Sequence, residues 1–353
     1  MIKLVVEDKA PTTNNSILQF VEENAMQVGL IGLGNMGTAV GNLVAQNGSD
    51  VLGWEFNPDV VREINDKHSN SRFLPGISLE LGLAATGDIS LVMSGSQVLF
   101  VAIPSVFIES TLRPGRERLS TDAIIVNMTK GIDSRSGLTS YQTIARLFPD
   151  NPKIMLSGPS IANEFARGMP TIVVLASESG EGLMTVAQTL DGDCFRTRFS
   201  DDVIGVELGG VLKNIYSIGL GLFDGKDIRS VNFRSVYLTI ALEEIAKMGV
   251  AMGAKIETFL YLSGIGDLLA TSLSEHSHNR GLGERLASGR SLQDIKQEMG
   301  VLPEGYNTLQ VVLYIAEKLH VSIPLAKGLW DVLHGRYDAD KFITSFIRDF
   351  VEW

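Results

Sequence analysis

The chain has 353 residues, 44% of them hydrophobic, a formal charge of -11 and a single cysteine. That length suits two domains of ordinary size, each with enough apolar content to bury a core. The acidic balance argues against a nucleic-acid surface, and a lone Cys194 excludes internal disulfides and cysteine-built zinc sites, so a small-molecule ligand is expected.

Residues 1–25 precede the first strand signal and form an N-terminal extension with no evident role. The opening MIKLVVEDKAPTTNN carries acids where an export signal needs basic residues, so the expected location is cytoplasmic. No run approaches the roughly 18 apolar residues of a membrane span, and the longest, VLFVAI at 98–103, has the length of a buried strand. No membrane insertion is expected.

From residue 26 to about 200, β-branched runs alternate with helical patterns. Strands are predicted at QVGLIGL (27–33), DVLGWE (50–55), QVLFVAI (97–103), AIIVNM (123–128), KIMLS (153–157) and TIVVLA (171–176). Strand, crossover and strand in repetition predict a doubly wound parallel sheet covered on both faces. After residue 201 the strand signals stop. VIGVELGGVLKNIYSIGLGLF (203–223), VYLTIALEEIAKMGVAMG (236–253) and YNTLQVVLYIAEKLHV (306–321) read as helices, so residues 201–353 form an all-helical second domain. RYDADKFITSFIRDFVEW closes the chain as an amphipathic helix packed on the body. The small residues of GGVLKNIYSIGLG could support a dimer.

Gly32, Gly34 and Gly37 satisfy G-x-G-x-x-G directly after the first strand and at the start of a helix. The first glycine permits the tight turn, the second admits a pyrophosphate and the third allows close helix packing, so this segment reads as a dinucleotide site. Glu55 ends the second strand 18 residues past Gly37, where a carboxylate accepts hydrogen bonds from an adenosine ribose. It would repel a 2'-phosphate, which favours NAD over NADP. The bland reading of Glu55 is a first exposed residue after a strand, and that of Trp54 is packing.

Such a site needs a group that moves a proton while the nicotinamide exchanges hydride. Lys130, in NMTKGID, follows the carboxyl end of a strand, where open α/β sheets bind ligands. Lys213, in ELGGVLKNIYS, lies on the first helix of the second domain. Two ammonium groups in one cleft depress each other's pKa, and Asp267 of GIGDLLAT would orient one of them. Taken singly, each lysine reads equally well as a surface residue.

SEHSHNRGLG (274–283) is open to three readings: a metal site through His276 and His278, an anion grip, or an exposed loop. A metal would need a third ligand with only Glu275 and Asp267 at hand, whereas a catalytic zinc takes three protein ligands, so no metal is expected.

The chain resembles the NAD-dependent glycerol-3-phosphate dehydrogenases. The resemblance runs through GLGNMGTAVGNLVAQNG, RFLPGISL, VAIPS, TKGID, SGPSIANEFARGMPT, ELGGVLKNIYSIGLGLFDG, GIGDLLAT, SHNRGLG and LPEGYNT, roughly residues 27–335. GLGNMG alone would equally suggest the 3-hydroxyisobutyrate dehydrogenases; SGPSIANEF and GGVLKN favour the former. The resemblance implies a Rossmann domain, a helical substrate domain and commonly a homodimer. By position it implies that Lys213 handles the proton at the substrate oxygen with Lys130 and Asp267 beside it. Gly158, Ser160, Asn214 and Thr271 would line the substrate pocket. Asn35, Met36, Ala162 and Glu304 would touch the dinucleotide. Ser277, His278 and Asn279 fall on the family's Ser-Arg-Asn segment, which holds the substrate phosphate, so histidine replaces its arginine. Val236, Tyr237 and the Ile240-Ala241 pair also depart from the family's small residues and Arg-Gly, which suggests a rebuilt pocket wall. These departures leave three readings open: glycerol 3-phosphate, a related hydroxy metabolite, or a silent dinucleotide-binding protein.

Overall fold

The computed structural model describes residues 26–274 and 277–349; the extension 1–25 and the pair Glu275 and His276 lie outside the described residues. Among the described residues eight strands form one sheet: β1 (Gln27–Ile31), β2 (Asp50–Trp54), β3 (Leu83–Thr86), β4 (Val98–Val101), β5 (Ile124–Asn127), β6 (Lys153–Ser157), β7 (Thr171–Ala176) and β8 (Phe195–Ser200). Their spatial order is β3-β2-β1-β4-β5-β6-β7-β8. The first six reproduce the doubly wound dinucleotide-binding order, with its crevice where the order reverses between β1 and β4. Seven helices accompany the strands: α1 (Asn35–Gln46), α2 (Pro58–Lys67), α3 (Ile89–Gly95), α4 (Ile108–Leu112), α5 (Ser140–Leu147), α6 (Ala162–Phe165) and α7 (Leu183–Leu190). Val98 and Phe100 bury into one apolar cluster and Leu99 and Val101 into another, so the sheet is covered on both faces.

The sheet is not wholly parallel. β7 pairs with β6 antiparallel, Met155 opposite Ala176 and Ser157 opposite Val174, and β8 then follows β7 in parallel. Nothing in the local composition of TIVVLA encodes its direction. The predicted strands also omit β3 and β8. β3 is only four residues, LAAT, and β8, FRTRFS, is an outer strand whose arginines face solvent instead of a core.

The helical part follows as α8 (Val203–Gly225), α9 (Val231–Ala251), α10 (Ile256–Phe259), α11 (Asp267–Leu273), α12 (His278–Ala287), α13 (Leu292–Met299), α14 (Glu304–Leu319), α15 (Pro324–Leu333) and α16 (Ala339–Asp349). A π-helical turn, Leu262–Gly266, leads into α11. α8 is long and apolar enough to cross a membrane, yet 89% of that stretch is buried, which is the pattern of a core helix.

Two expectations change here. The small residues of α8 are consumed inside the domain: a Cβ at Gly221 would sit 2.0 Å from the Arg280 carbonyl, and one at Gly283 of α12 would sit 2.0 Å from the Ile218 carbonyl. That stripe therefore seats α12 and presents no dimer face. Tyr237 is fully buried in the core, its ring 4.8 Å from Phe223 and 5.8 Å from Phe346, with its hydroxyl donating to the Tyr216 carbonyl at 2.7 Å. Aromatic pairs of this kind contribute about 1 kcal/mol each beyond area burial. Of the bulky departures in α9, Tyr237 fills the domain interior, Ile240 packs on its edge and Val236 faces solvent.

Candidate active site

The glycine turn has the geometry its spacing predicts. Gly32 adopts φ +97°, a left-handed conformation that glycine adopts without strain, and a Cβ at Gly37 would fall 1.9 Å from the Gly32 carbonyl. A Cβ at Gly34 would meet nothing within 4 Å, and this N-cap brings no side chain to the first amides of α1. The amides of that helix start therefore face an open cradle suited to an anion. Asn35, exposed at the first position of α1, donates through Nδ2 to the Phe73 carbonyl at 2.7 Å and to Asn163 Oδ1 at 3.0 Å. It ties the turn to the RFLPG loop and to α6, which opens with buried Ala162. Met36 packs half-buried on the sheet cluster. Glu55 is buried, not solvent-exposed, and one of its oxygens accepts the Asn57 amide at 3.0 Å.

At the other side of the crevice one carboxylate holds two ammonium groups. Asp267 takes Lys213 Nζ on Oδ1 at 2.5 Å and Lys130 Nζ on Oδ2 at 2.6 Å. Thr271, one turn along α11, accepts from Lys213 at 2.6 Å and donates to the Asp267 carbonyl at 2.8 Å. Lys130 also reaches the Gly158 carbonyl at 3.4 Å, and Ser160 Oγ donates to that carbonyl at 3.0 Å. The sequence dictates this approach at Gly210 of α8, where a Cβ would stand 3.1 Å from the Lys130 stem and 2.5 Å from Ser157 Oγ. The π-helical turn aims Asp267 inward, a distortion that α-helices often carry at functional sites.

Burial pulls the Lys213 ammonium down to about 8, with Asp267 holding it up and the neighbouring Lys130 charge pushing it further down. A lysine has three donors, and among the described residues Asp267 and Thr271 take two of those on Lys213. The third N–H is available to an oxygen in the crevice. A lysine so tuned can give or take a proton near neutrality.

Asn279 is buried one residue into α12. Its Nδ2 donates to Asn214 Oδ1 at 3.1 Å, and its Oδ1 accepts the Gly305 amide at 2.9 Å. Asn214 is the neighbour of Lys213, so the SHN segment lies beside the lysine cluster. Ser277 caps α12 by accepting the Arg280 amide, and His278, its first residue, is exposed. Arg280 is not free to replace the missing arginine. It pairs with Asp224 Oδ2 at 2.6 Å, donates to the carbonyls of Ser272 and Ser274, and shares Asp224 with Arg234. Among the described residues no group of three His, Cys, Asp or Glu could hold a metal.

Two pairings between the sheet loops and the helical part escape sequence reasoning because the partners are far apart in the chain. Glu304, at the first position of α14, accepts the Ser105 amide at 2.9 Å and the Ser105 hydroxyl at 2.8 Å, which ties the helical domain to the VAIPS loop after β4. Burial raises the Glu304 carboxyl above its ordinary range. Glu207 of α8 is buried, and its Oε1 lies 2.8 Å from Ser140 Oγ and accepts the Tyr141 amide at 2.8 Å. Ser140 in turn bonds the loop that bears Lys130. The only local signal was a charged residue amid an apolar helix.

The chain matches family models for the NAD-dependent glycerol-3-phosphate dehydrogenase N-terminus over residues 27–182 and C-terminus over residues 202–344. It is 36% identical over 312 residues to a glycerol-3-phosphate dehydrogenase (NAD(P)+) of Carboxydothermus hydrogenoformans, covering 88% of this chain and 92% of that protein. A protein of the same name from Acinetobacter baumannii strain SDF is 38% identical, covering 88% of this chain and 87% of that one. The crystal structure of glycerol-3-phosphate dehydrogenase from Coxiella burnetii superposes with a TM-score of 0.85 at 29% identity, over 92% of this chain and 99% of that one. The Plasmodium falciparum glycerol-3-phosphate dehydrogenase, at 21% identity and a TM-score of 0.83 over 93% of this chain and 97% of that one, shares the fold.

Proposed function

The chain belongs to the NAD-dependent glycerol-3-phosphate dehydrogenase family, and from that premise we propose that it interconverts glycerol 3-phosphate and dihydroxyacetone phosphate. The observation that carries the reading is the Lys130–Asp267–Lys213 cluster facing the dinucleotide crevice. The Gly32–Gly37 turn, with Asn35, Met36, Glu55, Ala162 and Glu304 around it, would hold a nicotinamide dinucleotide, which would supply or accept the hydride. The open cradle at Gly34 and the uncapped start of α1 fit its pyrophosphate.

Lys213 gives its proton to the substrate oxygen during reduction and takes it back during oxidation. Asp267 and Thr271 orient its ammonium, and Lys130 adds positive charge where the alkoxide develops. Gly158 and Ser160 border the cluster, and Asn214 with Asn279 forms the adjacent wall for the substrate phosphate, flanked by Ser277 and His278. NAD is the preferred cofactor, because a buried Glu55 carboxylate at the end of β2 disfavours a 2'-phosphate. The domains divide near residue 200, and the working form is a cytoplasmic homodimer, for which sedimentation of the purified chain is the check.

The initial rate of NADH oxidation with dihydroxyacetone phosphate, run beside unphosphorylated dihydroxyacetone, tests the assignment. A large preference for the phosphate compound supports it; no reaction with either, or no preference, defeats it. Lys213→Ala should abolish turnover and keep NADH binding, whereas loss of both would mean a structural lysine.

A further inference from the structure

Lys130 sits on a loop whose backbone is gripped on both sides by one residue. The Thr129 carbonyl accepts from Ser140 Oγ at 2.7 Å, and the Gly131 carbonyl accepts the Ser140 amide at 3.1 Å. The Ser140 hydroxyl also accepts from Asn127 Nδ2 at 2.8 Å and lies 2.8 Å from Glu207 Oε1. Asn127, Thr129, Ser140 and Glu207 are all buried.

Ser140 Oγ carries one hydrogen and faces two oxygens, Thr129 O and Glu207 Oε1. If Glu207 were ionised, both would be acceptors, and one buried oxygen pair at 2.7–2.8 Å would have no proton between its members. If Glu207 carries a proton, every contact is satisfied: the acid donates to Ser140, Ser140 donates to Thr129, and Glu207 Oε1 still accepts the Tyr141 amide.

We propose that Glu207 is a positioning residue for Lys130, acting as a hydrogen-bond donor through the Ser140 hydroxyl. The inference rests on the reading of Lys130 as part of the reacting site. Burial pushes the Glu207 carboxyl up to about 7, in keeping with a donor role. Hydrogen bonds from the Thr139 side chain, the Tyr141 amide and Ser140 favour the charged form, but burial outweighs them. The Tyr141 phenol is pushed up to about 12 by burial and stays neutral, and the Lys130 ammonium is spent on Asp267. Glu207 and Lys213 stand on one rigid helix, so α8 sets the position of both lysines.

The experiment compares wild type with Ser140→Ala and Lys130→Ala, measuring turnover of dihydroxyacetone phosphate, NADH affinity, thermal midpoint and reductive methylation of each lysine by mass spectrometry. Ser140→Ala should lower kcat roughly tenfold, the cost of a small misplacement, leave NADH affinity unchanged, and speed Lys130 methylation severalfold with Lys318 unaffected. A drop in midpoint without a change in kcat or in Lys130 labelling would overturn the proposal. If Lys130→Ala turns over normally, the reading of Lys130 itself fails, a result distinct from an inert Ser140→Ala. Below neutrality, the infrared difference spectrum of wild type minus Glu207→Gln should show a carboxylic-acid carbonyl band. A carboxylate pair in its place overturns the donor role.

Discussion

Lys213 and Asp267 are joined at 2.5 Å across 54 residues of chain, with the second oxygen of the same carboxylate taken by Lys130. Removing that carboxylate strands two ammonium groups in a largely buried site. Asp267→Ala should therefore cost about 3 kcal/mol or more in denaturant unfolding. It should also move the basic limb of the pH profile to lower pH, because Asp267 holds the Lys213 value up.

The pH dependence of turnover follows from Lys213. Reduction needs its ammonium form, so kcat in that direction should fall as pH rises through about 8. Oxidation needs the free amine and should rise through the same range. Initial rates in both directions across the neutral to alkaline range check the pair, and parallel profiles would count against the assignment.

Glu304 and Ser105 clasp the two domains through a half-buried carboxylate. Ser105→Ala leaves only the amide and should destabilise the fold by about 1.5 kcal/mol, the worth of a hydrogen bond to a charged group. Chemical denaturation with a constant slope would measure it.

For the cofactor, kcat/KM should favour NADH over NADPH, and Glu55→Gln should narrow that preference roughly tenfold by removing the repulsion. Steady-state kinetics with both nucleotides decide this, and an unchanged ratio would show that Glu55 serves the loop at Asn57 instead.

The family resemblance sets His278 at the position of an arginine, and Arg280 is committed to Asp224. Arginine grips phosphate with a permanently charged fork that histidine lacks. His278→Arg should raise kcat/KM on dihydroxyacetone phosphate about tenfold, the lower end of a charged hydrogen bond. Equal or lower efficiency would mean that the helix start manages without it.

Much of this was legible in the residues. Runs such as VLFV and TIVVLA can hardly be anything but buried strands, and the three glycines carry their spacing into the turn unchanged. What escaped was set by tertiary context. β8 hides its strand period behind Arg196 and Arg198, and Tyr237 looks like a pocket substitution until Phe223 and Phe346 are seen around it. Ser140 and Glu207 are 67 residues apart, and no local pattern announces that they meet.

The reversal at β7 has a consequence for reach. β6 climbs toward the crevice, while β7 and β8 descend from it, so the chain leaves the sheet at the far edge after Ser200. α8 starts there and must climb back. Ten residues from Val203 to Lys213 rise about 15 Å at 1.5 Å per residue, close to the roughly 17 Å of a five-residue strand. The helix thus acts as a ruler cut to the depth of the sheet. An inserted residue before Gly210 would rotate Lys213 by about 100° off the crevice, so length in this segment is as constrained as identity.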